Sequence, residues 1–128
     1  MKVLLDTHAF LWLIAGDPRL SRKAKTVFLD SGNHLFFSAA SFWEICIKKS
    51  LGKISLKEDW IRTIQFELDF NCIQWLPIEV HHCAEIIDLP FHHRDSFDRM
   101  LIGQAIAEDM CLLSRDSLFS SYPVTRIW

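Results

Sequence analysis

Four carboxylates stand at the starts of segments rather than within them: Asp6, Glu44, Asp98 and Asp116. Asp6 directly follows the apolar run Lys2 to Leu5, and Asp116 follows Met110 to Ser114 with one residue between. Asp has low strand propensity, so neither was placed to help a strand. In open parallel α/β sheets, ligands bind outside the carboxyl ends of the strands, where two such acids would meet. Each acid also has a local alternative. Asp is a preferred helix N-cap, which would account for Asp6 and Asp116. Ser41-Phe42-Trp43-Glu44 reads as a capping box, with Lys48 four residues on as a surface partner. Asp95 and Asp98 read as a local cap pair. Against this, Glu44 is hemmed by Phe42, Trp43, Ile45, Cys46 and Ile47. A helix apolar nearly all round is largely buried, and buried carboxylates are rare unless paired or metal-bound. Asp98 heads a stripe made by Leu101, Ile102 and Ala105.

Taken together the acids predict one acidic pocket. Carboxylates crowded without compensation repel, and divalent cations are the usual remedy. Mg²⁺ or Mn²⁺ suits all-oxygen ligands. Such ions activate water and stabilise the departing oxygen in phosphodiester hydrolysis, so no side-chain nucleophile is needed. Other chemistries find less support. The six histidines invite zinc, through His81-His82 with Cys83 or His92-His93 with Cys72. Adjacent histidines on a helix are expected to diverge, however, and no short metal-ligand spacing is present. His8 is near Asp6 and either packs, its expected role, or approaches the site. No GxSxG, Walker loop or GxGxxG occurs, and nothing marks any cysteine as activated.

The elements that must position these acids follow from pattern and punctuation. Lys2 to Leu5 predicts a strand and Thr7 to Ala15 a helix, stopped by Gly16 and Asp17-Pro18. Ser21 can cap a helix running to about Leu29. His34 to Ser38 predicts a strand; Ser41 is expected to open a helix ending near Gly52. Trp60, Ile61, Ile64 and Leu68 repeat with helical spacing between Glu58 and about Asp69. Cys72 to Ile78 reads as extended, Glu79 to about Leu89 as helix, and Pro90 through Asp95 as loop. Phe97 to about Asp109 predicts a helix, Met110 to Ser114 a strand, and Val124 to Trp128 another. This alternation implies a three-layer α/β sandwich around a mainly parallel sheet, in one domain spanning 1–128.

Composition narrows the class. Half of the 128 residues are hydrophobic and 23% are charged, which excludes a disordered tail. Ten Phe and five Trp are a heavy aromatic load, some of it available for a protein partner. A formal charge of -2 gives no bulk attraction to nucleic acid, so RNA would need a local basic strip and metal ions. Four widely spaced cysteines without a CxxC pair, three of them in apolar stretches, predict buried, reduced thiols and a cytoplasmic setting. The apolar start is interrupted by Asp6 and His8 and is too short to span a bilayer, so no export signal or membrane anchor is expected.

The segments LLDTH at 4–8, SAASFWEI at 38–45, HHRDSFDRMLIGQA at 92–105 and LLSRD at 112–116 resemble, in order, the four motifs of PIN domains. They are most similar to toxin ribonucleases of VapC type, in the subgroup with an HHRDPFDR-like segment, and the likeness covers essentially the whole chain. The resemblance implies a PIN-like fold and a metal-dependent endoribonuclease, the toxin of a type II toxin–antitoxin pair. It carries the metal-binding and catalytic acids to Asp6, Glu44, Asp98 and Asp116, with Ser114 orienting water or a carboxylate and Asp95 either supporting the ligands from behind or serving as an alternative ligand. Thr7 matches the small polar residue after the first aspartate, and Ser96 stands where the subgroup commonly has Pro. The implied cofactor is Mg²⁺ or Mn²⁺. The implied partners are RNA, a cognate antitoxin and a second copy in a homodimer. Lys48, Arg94, Arg99 and Arg115, with Lys49 and Lys53, are candidates for RNA backbone contact. The helix from Phe10 to Ile14, including Trp12, either supplies core or receives the antitoxin's C-terminal segment. Two alternatives stand beside this: an RNA-processing PIN nuclease without antitoxin, and a catalytically silent RNA- or protein-binding module.

Overall fold

The structure, a computed structural model, describes residues 1–128. Its centre is the run Val3-Leu4-Leu5, every residue of which is fully buried. A strand covered on both faces has no polar side to show, which is why this segment does not alternate. It forms β1 (Lys2–Leu5), flanked by β2 (His34–Ser38) and β4 (Cys111–Leu113). β3 (Gln74–Leu76) lies outside β2 and β5 (Arg126–Ile127) outside β4, giving the order β3-β2-β1-β4-β5 with every pairing parallel. Leu5 is level with Phe37 on one side and Leu113 on the other, so the three central strands end together.

The side chains sort by the two-residue period of the strand. Val3, Leu5, Leu35, Phe37, Leu113 and Ile127 face one layer. It is built from α1 (Thr7–Ala15), α2 (Arg22–Leu29) and α4 (Trp60–Phe70), together with Ile45 of α3 (Ala39–Ser50). Leu4, Leu76 and Leu112 face the other, where α6 (Ser96–Ala107) contributes Leu101, Ile102 and Ala105. α5 (Val80–Ile86) lies against α6 at Gly103, where an added Cβ would meet the His82 carbonyl oxygen at 2.8 Å. The three-layer expectation holds, and the sheet is wholly parallel. No helix is long and apolar enough to cross a membrane.

The element boundaries differ from expectation in instructive places. α3 begins at Ala39, capped by Ser38, whose Oγ accepts from the Ala40 N–H at 3.0 Å. The capping box on Ser41 therefore does not form: Ser41 sits inside the helix, its hydroxyl buried and without a partner. Ser38, expected only as the last residue of a strand, takes the cap instead, and its hydroxyl also donates to Gln104 Oε1 of α6 at 2.6 Å. A 3-10 turn over Ser117–Ser121, not expected from the sequence, follows β4. The cysteines are free, as expected, but none is fully buried, and Cys72 and Cys83 are exposed.

Candidate active site

Three neighbouring strands end on a polar cap: β2 on Ser38, β1 on Asp6, and β4, with two residues between, on Asp116. β1 lies where the strand order turns, with chain connections leaving to β2 on one side and β4 on the other. That switch point is where open α/β sheets make their crevice. The Asp6 N–H donates to the Leu113 carbonyl at 3.0 Å, tying the ends of β1 and β4 together.

Cap and pocket turn out not to be alternatives for the two aspartates. Asp6 Oδ1 accepts from the His8 N–H at 3.3 Å, while Oδ2 accepts from Ser114 Oγ at 2.5 Å. Asp116 Oδ1 accepts from the Leu118 N–H at 3.0 Å, while Oδ2 lies 2.7 Å from His93 Nε2. Each carboxylate caps with one oxygen and serves the site with the other. Glu44 caps nothing. From α3 its Oε1 accepts from Thr7 Oγ1 at 2.8 Å and its Oε2 pairs with Lys48 at 2.7 Å. Asp98 stands in the first turn of α6, and Asp95 is that helix's cap, accepting from the N–H groups of Phe97 and Asp98.

The charges act on one another. Burial pushes the Asp6 carboxyl above its usual range, against the Ser114 hydrogen bond, and the charge of Glu44 adds to the rise. Asp98 is pushed up to about 7, first by burial, then by Asp95 and Asp6, with Glu44 adding and His93 opposing. Asp116 goes the other way: burial would raise it, but the His93 hydrogen bond and the Leu118 N–H together hold it below the usual range. His93 is the residue the sequence reading missed. It is buried, its backbone N–H donates to Tyr122 Oη at 2.8 Å, and its Nδ1 lies 3.2 Å from the same oxygen. With the tyrosine hydroxyl donating to Nδ1, Nε2 is left to donate to Asp116. The only signal for it was its place within His92-His93-Arg94-Asp95.

The basic candidates separate. Lys48 is engaged by Glu44. Arg99 is corrected from RNA contact to structural tie: it is buried, and its guanidinium donates to the carbonyls of Ile86, Leu89 and Pro90. An α6 residue facing α5 closes the open carbonyls where α5 ends, which surface reading of an arginine could not foresee. Arg94 and Arg115 are exposed and bond to nothing in the protein. His8 is exposed and borders the depression with Asp6 rather than packing inside.

Asp6 and Asp116 thus border one depression, and Glu44 and Asp98 lie near enough to Asp6 for their charges to interact, but the four do not close on one point: no three of their ligand oxygens lie within 4.8 Å of one another. The group that does is elsewhere. His81 and His82 Nε2 lie 2.9 and 2.8 Å from Glu108 Oε1, at the far end of α6. The expectation that adjacent histidines diverge fails here because both rings reach the same carboxylate. It remains a poor metal site. The Glu79 N–H donates to His82 Nδ1 at 3.0 Å, so neutral His82 keeps its proton on Nε2 and spends it on Glu108.

Residues 3–124 match the PIN domain. The chain belongs to the PIN domain family. No curated protein matches it. Among solved structures, this PIN domain is similar to VapBC2 from Rickettsia felis, bound to a DNA fragment from its promoter, at 15% identity and a TM-score of 0.72. That match covers 98% of this chain and 97% of the other. VapBC-1 from nontypeable Haemophilus influenzae gives 16% identity and 0.65, covering 98% and 96%. FitAcB from Neisseria gonorrhoeae gives 16% and 0.65, covering 97% and 95%. At these identities the likeness is one of fold.

Proposed function

We propose that this PIN domain is a metal-dependent endoribonuclease, the toxin of a type II toxin–antitoxin pair acting in the cytoplasm. The observation that supports the reading is that Asp6 and Asp116 border one depression at the carboxyl ends of β1 and β4, with Glu44 and Asp98 close enough to Asp6 for their charges to act on one another. The donor set fits a hard divalent cation. It is all oxygen, and Asp98 is raised to about 7 with no hydrogen bond from the protein to its carboxylate. Lys48 is the only cation paired directly with any of the four through a lysine or arginine. Asp6, Glu44, Asp98 and Asp116 are the residues that would hold Mg²⁺ or Mn²⁺. Bound there, the ion supplies an activated water and charge stabilisation for phosphodiester hydrolysis. The protein's own part is orientation. Ser114 fixes Asp6, Thr7 fixes Glu44, and His93, backed by Tyr122, fixes Asp116, so that the second lone pairs of their oxygens, with the unbonded Asp98 carboxylate, would face the ion that in turn would hold the scissile phosphate.

The partners follow the same reading. Similar folds occur in structures described as toxin–antitoxin complexes, one from Klebsiella pneumoniae at 16% identity and a TM-score of 0.59. A groove of about 310 Å³ between α1 and α4, lined by Leu11, Ile14, Leu56, Trp60 and Ile64, suits an apolar segment of an antitoxin. The exposed face around Trp43 and Phe97 suits a second copy of the chain.

The deciding experiment incubates cellular RNA with the purified chain and its Asp98→Asn variant, in Mg²⁺, Mn²⁺ or EDTA. Cutting by the parent in metal, absent in EDTA and reduced at least a hundredfold in Asp98→Asn, is expected. A folded, metal-supplied parent that cuts no RNA overturns the enzyme reading in favour of a binding module.

A further inference from the structure

Beside the carboxylates, on the α1 side, lies a depression of about 540 Å³ bordered by Asp6, Asp116, His8, Trp12, Arg19 and Arg115. Its walls are assembled rather than incidental. Trp12 is half-buried, held edge-on by Trp128 at 5.8 Å, with the His8 ring tilted against it at 5.9 Å. The Arg19 guanidinium carbon lies 4.8 Å from the indole centroid, and that of Arg115 lies 5.9 Å away. Arg19 cannot wander: Asp17 accepts from its Nε at 3.0 Å and from its Nη2 at 2.8 Å, leaving Nη1 with no partner in the protein. Arg115 forms neither an ion pair nor a hydrogen bond within the chain. An acidic crevice in a protein of net charge -2 repels a phosphate backbone unless cations stand beside it, and these two guanidiniums are in position to do so.

Resting on the ribonuclease reading, we propose that this depression holds the nucleotide next to the scissile phosphate. The base stacks on the platform of Trp12 and Arg19, and the neighbouring phosphate meets Arg115 and the free Nη1 of Arg19. Indole rings and guanidinium planes both accept bases by stacking, without preference for sequence. The volume is of the order of a small-molecule site, about 300–1,000 Å³, enough for one splayed nucleotide and not for a helix. A base can lie there only when unpaired, since in an A-form duplex it is already stacked and paired. The substrate is therefore single-stranded at the cut. A protein segment is the less apt occupant, because the depression offers stacking and anion contacts but only one apolar lining residue, Trp12.

The test measures anisotropy of a short labelled RNA of mixed sequence, single-stranded or annealed to its complement, against full-length Asp98→Asn protein in Mg²⁺, which leaves the RNA intact. Trp12→Ala, Trp12→Phe, Arg115→Ala and Arg19→Ala are added singly to that background. Trp12→Ala and Arg115→Ala are each expected to weaken single-strand binding about tenfold, Trp12→Phe to restore most of it, and duplex binding to be weaker and indifferent to Trp12. Arg115 is exposed and unbonded, so its variant reports on binding even if Trp12→Ala unfolds. Single-strand affinity unchanged in Arg115→Ala and in a folded Trp12 variant overturns the proposal. So does equal binding of duplex, and so does an effect confined to capture of a protein partner. A parallel assay with Asp98 intact separates this from the ribonuclease reading. If the metal-loaded chain cuts RNA while the Trp12 and Arg115 variants bind and cut as it does, the subsite is wrong and the nuclease stands. If it cuts nothing yet binds single strands through Trp12, the site stands as a binding surface and the nuclease falls.

Discussion

Asp98 carries the least compensated charge of the cluster, because burial and three neighbouring carboxylates act on it and no protein group donates to its oxygens. Its pKa is about 7 in the folded chain and about 3.9 when unfolded. The native state therefore binds a proton that the unfolded state releases between those values, so stability from this residue is full below about pH 4 and is lost as pH rises through 7. Asp98→Asn removes the penalty. In EDTA the variant is expected to exceed the parent in stability at pH 8 by on the order of 1–2 kcal/mol, discounted for solvent screening of a half-buried group, with no difference near pH 4. Mg²⁺ should then stabilise the parent more than the variant, since only the parent offers the full ligand set. Urea melts at both pH values, with and without Mg²⁺, read this directly. A parent no less stable than Asp98→Asn at pH 8 in EDTA would contradict the account. At this scale the sequence was legible in part. The four acids could be picked out, but not that Asp6 and Asp116 each divide their oxygens between cap and crevice. Nor could it reveal His93, whose role depends on a loop bringing it to Asp116 across 23 positions.

At the scale of elements, boundaries that depend on hydrophobic period came out close to expectation, while the one that rested on Ser41 as a cap did not. α1 runs over Thr7–Ala15 as expected, since Gly16 at φ 63 supplies the left-handed residue that ends it. α3 starts three residues before expectation because Ser38 finds a second partner in Gln104, information that lies 66 positions away. That shift releases Glu44 from capping and makes it available to Thr7. α6 offers a prediction of its own. Ser96 is its first residue, the position where Pro is best tolerated, and its N–H has no acceptor in the protein. The preceding Asp95 has φ -65 and ψ 123, extended values that a following Pro favours. Ser96→Pro should therefore stabilise the chain by about 0.4–1 kcal/mol, through the unfolded state, and leave RNA cleavage unchanged. A lowered midpoint in a urea melt would mean that Ser96 makes a contact its geometry does not reveal.

For the molecule as a whole, the heavy aromatic load is divided between core and surface. Phe10, Phe37 and Phe119 are fully buried, whereas Trp43 is 56% exposed, Phe91 79% and Ile87 77%. Trp43 meets Phe97 edge-on at 5.0 Å, and with Ile78, Ile86 and Met100 they border a groove of about 240 Å³ on the α3–α6 face. Contiguous apolar surface of this kind on a small chain marks an interface. Trp43 and Phe97 immediately precede Glu44 and Asp98, so whatever covers this face also steadies the two helices that deliver half of the acids. If the cover is a second copy, the antitoxin-free chain should sediment at twice 15.0 kDa. Trp43→Lys removes a largely exposed ring and its one edge-on contact with Phe97, and places a charge in the seam, where a desolvated, unpaired ammonium is strongly disfavoured. It should return the protein to monomer at concentrations where the parent is dimeric, with its melting midpoint in dilute solution little changed. Leu11→Lys, in the α1–α4 groove, should leave the dimer intact and weaken only antitoxin capture. A parent that stays at 15.0 kDa into the high micromolar range, or a Trp43→Lys protein that remains paired, assigns the exposed α3–α6 face to a different partner.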